Sequence, residues 1–467
     1  MFQNKTFPYL MKINQNPDFN QAYAISPIDG RYAAKLKILS SYCSEYALFH
    51  YRIKVELAYL AYLSKFKFLR QLKKNDHTSI NRLIEVYDID DFNQIKNIEK
   101  KINHDVKAVE YYLVDKLATT SLKDLTNFVH FGLTSEDTNN LAYGLMFQDI
   151  KNKVLLPFLK QFILDLKILA KENKNSVFLA RTHGQPAIPT TFTKEIVNYI
   201  VRLDKQYKRI QAFVFEGKCN GAVGNYSGFY FIDPKINWIK LTDELIASFG
   251  LKPNHYTTQI LPYDNWIEFF QIIKLVNGII YDLSINLWQY IMLGIIKQKD
   301  QTTVGSSTMP QKINPIDFEN AEGNSQLANS QIEFYESKLI HSRLQRDLSD
   351  STVRRSFGAT IGYSLLSWQS CSNGLKKISI DEDYCQNELD NHWEILAEPL
   401  QLFIKHNDKK KAYELLKSLT QGKKISRTKF RKIITLISKK YKLPLKEISP
   451  EKYTGAIKEL VKQIINY

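Results

Sequence analysis

The sequence predicts an all-α protein organised around a bundle of long helices, and three observations carry the prediction. Glycine (18) and proline (14) are scarce for 467 residues, so few positions force the chain to turn. The segments between them repeat apolar residues every three or four positions, the period of one helix face. Strand-like alternation is confined to short pieces such as residues 212–216 and 229–232.

Taken in order, residues 39–72 read as the first long helix. Residues 141–172 read as the second, with Pro157 marking an early bend. Residues 191–215, 266–296 and 320–338 read as three more. Helices this long and this numerous pack as a bundle. Polar islands separate them at 26–32, 103–105, 134–140, 181–189, 217–228, 305–315 and 342–355. From Asn407 the chain turns strongly basic, with Lys409, Lys410, Lys411, Lys423, Lys424, Arg427, Lys429, Arg431 and Lys432 beside regular Leu and Ile. That pattern reads as a small helical domain with a solvated basic face.

Composition removes several classes. The chain is 44% hydrophobic, 12% aromatic and 24% charged, which suits large cores and argues against disorder. Its most apolar stretch, 272–296, contains Lys274, Asn277, Asp282, Asn286 and Gln289. That is too polar for a membrane span, and no membrane association is expected. Residues 1–20 hold no long apolar run, so no secretory signal is expected, and they carry no motif. Cys43, Cys219, Cys371 and Cys385 form no C-x-x-C and no zinc spacing. They read as reduced thiols in a cytoplasmic protein. The net charge of +16 invites a nucleic-acid partner. The lysines are spread along the whole chain, however, which suits a compositional bias or the steering of a small anionic substrate better.

Residues 305–315 hold the densest set of chemically distinctive side chains. Gly305 frees the backbone at one end, and Pro310 and Pro315 stiffen the other. A plain polar loop between helices would also be built from such residues. Here Gly305, Ser306, Ser307, Met309, Pro310, Lys312, Asn314 and Pro315 match the pattern G-S-S-x-M-P-x-K-x-N-P. In this loop the chain resembles the fumarase/aspartase superfamily. Five further segments look like those of the adenylosuccinate lyases. They are Ser26-Pro27-Ile28-Asp29-Gly30-Arg31-Tyr32, Asn103-His104-Asp105-Val106 followed by Glu110, His130-Phe131-Gly132-Leu133-Thr134-Ser135-Glu136-Asp137, Arg181-Thr182-His183-Gly184-Gln185-Pro186-Ala187, and Arg346-Asp347-Leu348-Ser349-Asp350-Ser351-Thr352-Val353-Arg354-Arg355. They stand in the expected order.

The resemblance implies a fumarase/aspartase-like all-α fold, with a long central bundle flanked by two smaller helical domains. We expect an N-terminal helical domain over 1–122, the bundle with its signature loop over 123–375, and a C-terminal helical domain over 376–467. It also implies a homotetramer whose active sites combine segments from three subunits, and release of fumarate from adenylosuccinate to give AMP. The succinylcarboxamide ribotide of purine synthesis would react likewise.

Such a β-elimination removes a proton next to a carboxylate and protonates a departing nitrogen. Pre-aimed donors and cations must stabilise the carbanion between these steps. Backbone N–H groups near the serines, the Lys312 cation and the Asn314 amide can supply them. By resemblance Ser306 is the general base, with Ser307 a rival that sequence alone does not separate from it. His183 is the candidate general acid, since its ordinary pKa lies near neutrality. His104 and His130 stay open between orienting a partner and a satisfied structural imidazole. Thr134 and Ser135, before Glu136-Asp137, read both as a helix cap and as a carboxylate site at a helix N-terminus.

The resemblance adds Thr182, Lys312 and Asn314 to the carboxylate side, Gln259 as a substrate-binding amide, and Asn103, His104 and Asp105 as further substrate contacts. Arg31, Tyr32, Arg346, Ser351 and Arg355 match positions that hold phosphate and ribose, and guanidinium forks suit a phosphate. The offsets among Arg346, Ser351 and Arg355 would put them on one helical face if that stretch is helical. No metal and no organic cofactor is expected. Two departures stand out: Gln311 occupies a position usually histidine in adenylosuccinate lyases, and Leu261-Pro262-Tyr263-Asp264 stands where many relatives have Glu-Pro-His-Asp. Two alternatives remain. Argininosuccinate lyase would leave the phosphate-seeking arginines without a purpose. A basic helical binding protein would have kept the fold and lost the chemistry.

Overall fold

The computed structural model describes residues 21–299, 308–407, 412–442, 444 and 448–465. Gly305, Ser306 and Ser307, and Lys409 to Lys411, lie outside them. The described chain is overwhelmingly helical.

After a tight turn over 26–32 come α1 (Ala33–Cys43), α2 (Glu45–Lys65), α3 (Lys74–Glu85), α4 (Ile89–Ile102) and α5 (Asp105–Ala118). The single helix expected over 39–72 is therefore two. Ser44 adopts an extended conformation, and its hydroxyl accepts the Ala47 N–H at 3.1 Å, capping α2. Lys65 ends that helix short of Leu72.

Next come α6 (Ser135–Ile150), one π turn (Lys151–Leu155) and α7 (Leu156–Glu172). Together they form one rod of about 55 Å at 1.5 Å per residue. The π turn sits just before Pro157, whose ring and missing N–H a wider turn accommodates. A hairpin of β1 (Val177–Thr182) and β2 (Gln185–Thr191) follows. Then α8 (Phe192–Ala212) returns along α7.

Sequence expectations change in this part. The island at 181–189, read only as a polar stretch before a helix, ends β1, turns at His183-Gly184 and enters β2, which runs straight into α8. The aromatic run at 229–232 is helix, not strand: α9 (Ser227–Ile232) follows a turn in which the Ser227 N–H donates to Asn225 Oδ1 at 3.2 Å. The Phe229 ring packs 5.1 Å from Trp238, and tertiary contact overrides β propensity. Of 212–216, only Glu216 enters a strand. β3 (Glu216–Gly217) pairs in parallel with β4 (Lys252–Pro253), beyond α10 (Trp238–Ser248).

The long helices α11 (Asp264–Met292), α12 (Ile316–Lys338) and α14 (Phe357–Leu375), with α12 antiparallel to the other two, complete the bundle, with the short α13 (Ser349–Arg354) before α14. β5 (Ile296–Gln298) and β6 (Ile378–Ile380) close one end. The chain finishes with α15 (Glu382–Asp390), α16 (Ala397–His406), α17 (Ala412–Thr420), α18 (Arg427–Tyr441) and α19 (Ile457–Ile465).

One contiguous apolar cluster runs from Leu36 to Cys385, with Phe147, Phe215, Trp266, Phe269, Phe270 and Phe357 packed edge to face at its centre. A second cluster joins Leu179 of β1 to Trp393, Leu396, Phe430 and Ile437 of the C-terminal helices.

This connectivity gives the bundle two ends. At the near end α6 starts, α12 finishes, and 339–356 pass into α14. At the far end α7 finishes, the hairpin begins, and α12 starts directly after the signature loop. One length of α12, about 33 Å, separates the two ends.

Candidate active site

A cleft of about 710 Å³ opens at the near end. Of the residues singled out in the sequence, Asn103, His104, Asp105, Ser135, Arg346, Ser351 and Arg355 line it. Asn103 closes α4 in the left-handed conformation, φ 56°, which asparagine tolerates better than most residues. His104 caps α5, and its Nδ1 accepts the Lys107 N–H at 3.2 Å. The neutral ring then carries its proton on Nε2, free to donate. Asp105 sits 2.6 Å from Arg52 Nη2. Burial works to raise the pKa of this carboxyl, but the Arg52 guanidinium outweighs it and holds the group below the ordinary carboxylate range. Arg52 also donates from Nε to Asn139 Oδ1 at 2.9 Å.

Sequence reasoning missed Arg52, Asn139, Tyr143 and Arg354, all lining the cleft. Arg52 did leave a signal, since it and Glu56 one turn later are charged residues among the apolar ones of α2.

The buried Glu136 organises the opposite wall. Arg354 grips it with both terminal nitrogens, at 2.6 and 3.0 Å, and Arg346 Nη2 lies 3.7 Å away. Arg346 further donates to Ser351 Oγ at 3.1 Å and to Gln259 Oε1 at 3.4 Å. Arg346 lies in irregular chain ahead of α13, so Arg346, Ser351 and Arg355 do not share a helical face. The chain instead folds back so that Arg346 and Ser351 meet directly. Tyr263, one of the departures, is buried and donates to Asp350 Oδ2 at 2.9 Å, which ties the start of α11 to α13.

Arg31 is exposed, and Tyr32 is half-buried at the start of α1. They lie beside a neighbouring groove that reaches the cleft through Cys43, Ser44, Arg355 and Gly358. Thr134 caps α6, its N–H donating to Asp137 Oδ2 at 2.9 Å. Four residues earlier, the His130 imidazole meets Glu56 Oε1 at 2.7 Å. Burial alone would lower the His130 pKa, but the Glu56 carboxylate outweighs it and raises it.

The remaining candidates lie at the far end. His183 and Gly184 have φ of 52° and 73°, and they form the two-residue turn joining β1 to β2. This is the primed turn that matches strand twist. Thr182 and His183 are exposed there. Leu179 of the same strand belongs to the C-terminal cluster, so the hairpin is anchored away from the near end. Lys312 is exposed in the signature loop, and Asn314 is half-buried. Gln298 donates to the Ile313 carbonyl at 2.9 Å, closing the base of the loop. Ser306 and its rival Ser307 lie outside the described residues.

Among the described residues no group of three His, Cys, Asp or Glu side chains could hold a metal ion. No described helix is long and apolar enough to cross a membrane. All four cysteines are unpaired.

A family profile described as lyase matches residues 30–328, and one described as adenylosuccinate lyase C-terminal matches 342–454. Adenylosuccinate lyase of Legionella pneumophila (strain Corby) is 42% identical over 446 residues, covering 94% of this chain and 98% of that protein. The adenylosuccinate lyase of Buchnera aphidicola subsp. Schizaphis graminum is 42% identical over 455 residues, 96% of this chain and 100% of that one. The Escherichia coli (strain K12) adenylosuccinate lyase is 40% identical over 448 residues, 94% and 98%. Among solved structures, the fumarate lyase from Mesorhizobium sp. BNC1 superposes with a TM-score of 0.73 at 16% identity, over 93% of this chain and 97% of that one. The 3-carboxy-cis,cis-muconate lactonizing enzyme from Pseudomonas putida gives 0.74 at 16% identity, over 92% and 96%. These two likenesses establish the fold, that of the fumarate lyases.

Proposed function

The chain belongs to the adenylosuccinate lyase family, and from that premise we propose that it eliminates fumarate from adenylosuccinate, and from the succinylcarboxamide ribotide, leaving AMP and the carboxamide ribotide. One observation carries the substrate class: the cleft gathers Arg346, Arg354 and Arg355, with Ser351, on one wall. The one Glu136 carboxylate serves Arg354 at 2.6 Å and Arg346 at 3.7 Å, so the wall keeps a net positive charge. An anionic phosphate is the ligand such a wall suits. Asp105 and His104 face it from the other side and can accept from and donate to a ribose or a base.

In this reading Ser306 takes the proton from the carbon beside the substrate carboxylate, the electron pair forms the new C=C bond, and the C–N bond breaks. His183 gives its proton to the departing nitrogen. Thr134, Ser135, Thr182, Lys312 and Asn314 hold the succinyl carboxylates. Arg346, Ser351, Arg355, Arg31 and Tyr32 hold the phosphate and ribose, with Asn103 and Gln259 as further contacts.

The same reading makes the active enzyme a homotetramer with shared sites. His183 and Lys312 sit about a helix length from the cleft of their own chain, so one chain alone cannot bring them to a substrate held there. The bundle also offers a surface for a second copy. On α12, Ile316, Gly323, Leu327 and Phe334 recur at spacings of seven and four, the seam of paired helices. Ile316, Leu327 and Phe334 are exposed. Gly323 and Gly278 of α11 face open space, and Leu275 and Met292 of α11 are exposed beside them. A cytoplasmic location agrees with the four unpaired thiols.

The test is direct. Purified protein is incubated with adenylosuccinate and AMP formation is followed by absorbance. Turnover is expected. No turnover, together with turnover of argininosuccinate, would overturn the assignment.

A further inference from the structure

Asp137 and Lys218 form the most deeply buried ion pair among the described residues: neither side chain has any exposed surface, and Nζ lies 2.8 Å from Oδ1. We propose that Lys218 is a positioning residue that fixes the spacing between the part of the cleft receiving the substrate carboxylates and the part receiving its phosphate. The inference rests on the function proposed above and extends it to a residue that touches no substrate.

The argument is geometric. An ammonium has three protons to place. Those of Lys218 have three acceptors: Asp137 Oδ1, the Gln259 carbonyl at 2.8 Å and the Gly221 carbonyl at 3.2 Å. The Asp137 carboxylate in turn accepts the N–H groups of Thr134 at 2.9 Å, and of Asn220 and Gly221 at 3.1 Å each. Thr134 is thus pinned on one side of the pair and Gln259 on the other. The Gln259 side chain accepts from Arg346, which donates to Ser351. One unbroken line of polar contacts therefore runs from Thr134, on the carboxylate side, to Ser351, on the phosphate side.

Stability alone gives a poor account of such a pair. Two buried charges lose their hydration, and apolar residues of like volume often stabilise as well or better. What an apolar pair cannot supply is three directed bonds converging on one atom from three separate segments. A substrate that reaches from the Thr134 side to the Ser351 side needs them at one separation, because a misplacement of about 1 Å can cost roughly 100-fold in rate.

Lys218→Met alone strands the Asp137 charge in the core and is expected to impair folding, so the decisive variant is Asp137→Asn/Lys218→Met, which removes both charges. Its thermal midpoint should rise above that of Lys218→Met, short of wild type because the amide that replaces the carboxylate turns an N–H toward one of the backbone donors. AMP and succinate, each occupying one side, should inhibit it about as strongly as they inhibit wild type. Its kcat with adenylosuccinate should still fall by about 10- to 100-fold. A stable double variant with wild-type kcat would overturn the proposal and leave the pair a structural role only. So would AMP and succinate inhibition weakened by the same factor as kcat/KM, because the damage would then lie within each subsite. Wild-type protein with no turnover of adenylosuccinate would sink the proposed function and this inference with it. Wild-type turnover alongside an unaffected variant sinks the inference alone.

Discussion

The two ends of the bundle are built on opposite principles. At the near end the central charged side chains are held by others: Arg52 by Asp105 and Asn139, Arg354 by Glu136, Arg346 by Ser351 and Gln259. At the far end His183 stands on an exposed hairpin turn, and Lys312 lies exposed in a loop. The near end is organised by the chain itself and has the character of a binding site. The far end carries His183, the proposed general acid, on a projecting turn, where a second copy can meet it. In the proposed reading the phosphate and ribose fall to the near end, while His183 and the carboxylate-binding Thr182, Lys312 and Asn314 fall to the far end.

The sharpest way to break this comparison is to damage one end at a time. His183→Ala should lower kcat by about 100- to 10,000-fold, the scale of a lost general acid, with KM little changed. Ser306→Ala should act likewise, and near-normal turnover would pass the role of base to Ser307. Arg346→Ala should instead act mainly on KM, raising it by about 10- to 100-fold, the scale of a lost charge-assisted hydrogen bond. When the His183→Ala and Arg346→Ala proteins are dissociated, mixed and reassembled, activity above that of either alone should appear. In mixed assemblies some sites draw an intact near end from one chain and an intact far end from another. Failure of the mixture to recover activity, with assembly verified by sedimentation, would mean that each chain completes its own site.

A second, smaller contrast lies in stability. Glu136→Gln leaves the buried Arg354 guanidinium without its counter-charge, which should cost about 3–5 kcal/mol in urea unfolding. His183→Ala removes an exposed side chain and should change stability by no more than about 0.5 kcal/mol. Equal effects of the two substitutions would remove the distinction between a preorganised end and a projecting one.

The same contrast explains what the sequence could disclose. The far-end groups were legible because their chemistry lies in side chains that sit together in the chain: Lys312 and Asn314 two residues apart, and Thr182 beside His183. The helices were legible from their period, and errors fell where one contact outweighed it. Ser44 divides α1 from α2 with a single capping bond, and Phe229 draws a strand-like run into a helix by packing on Trp238. The near end was only half legible. Arg52, Asn139 and Arg354 act through partners more than 80 residues away, and no local pattern separates Arg354, which grips Glu136, from Arg355 beside it. The β1–β2 hairpin escaped notice because Pro186 and Pro189 obscure the alternation of its second strand. The basic tail was legible as well. Lysines are spread along the chain, yet most of the net charge falls within residues 407–467, the C-terminal helices whose buried faces pack with the hairpin strand that leads to His183.

The smallest effect tests whether the near end is preorganised electrostatically as well as sterically. His130 lies on the segment leading to Thr134, and Glu56, Glu110 and Asp137 all favour its charged form, Glu56 most. Burial opposes them, and the balance leaves the folded-state pKa raised. A group whose pKa is higher folded than unfolded binds its proton more tightly in the native state. Its contribution to stability is then complete below the unfolded value, about 6.5, and is lost as pH rises through the folded value. Glu56→Gln keeps the shape of the contact and removes the charge that produces the shift. The stability difference between wild type and Glu56→Gln should therefore be larger at about pH 5.5 than at about pH 9, as read from urea midpoints. A difference that stays constant or grows with pH would mean that Glu56 holds His130 as a neutral partner. The near end would then be ordered by shape and hydrogen bonding alone.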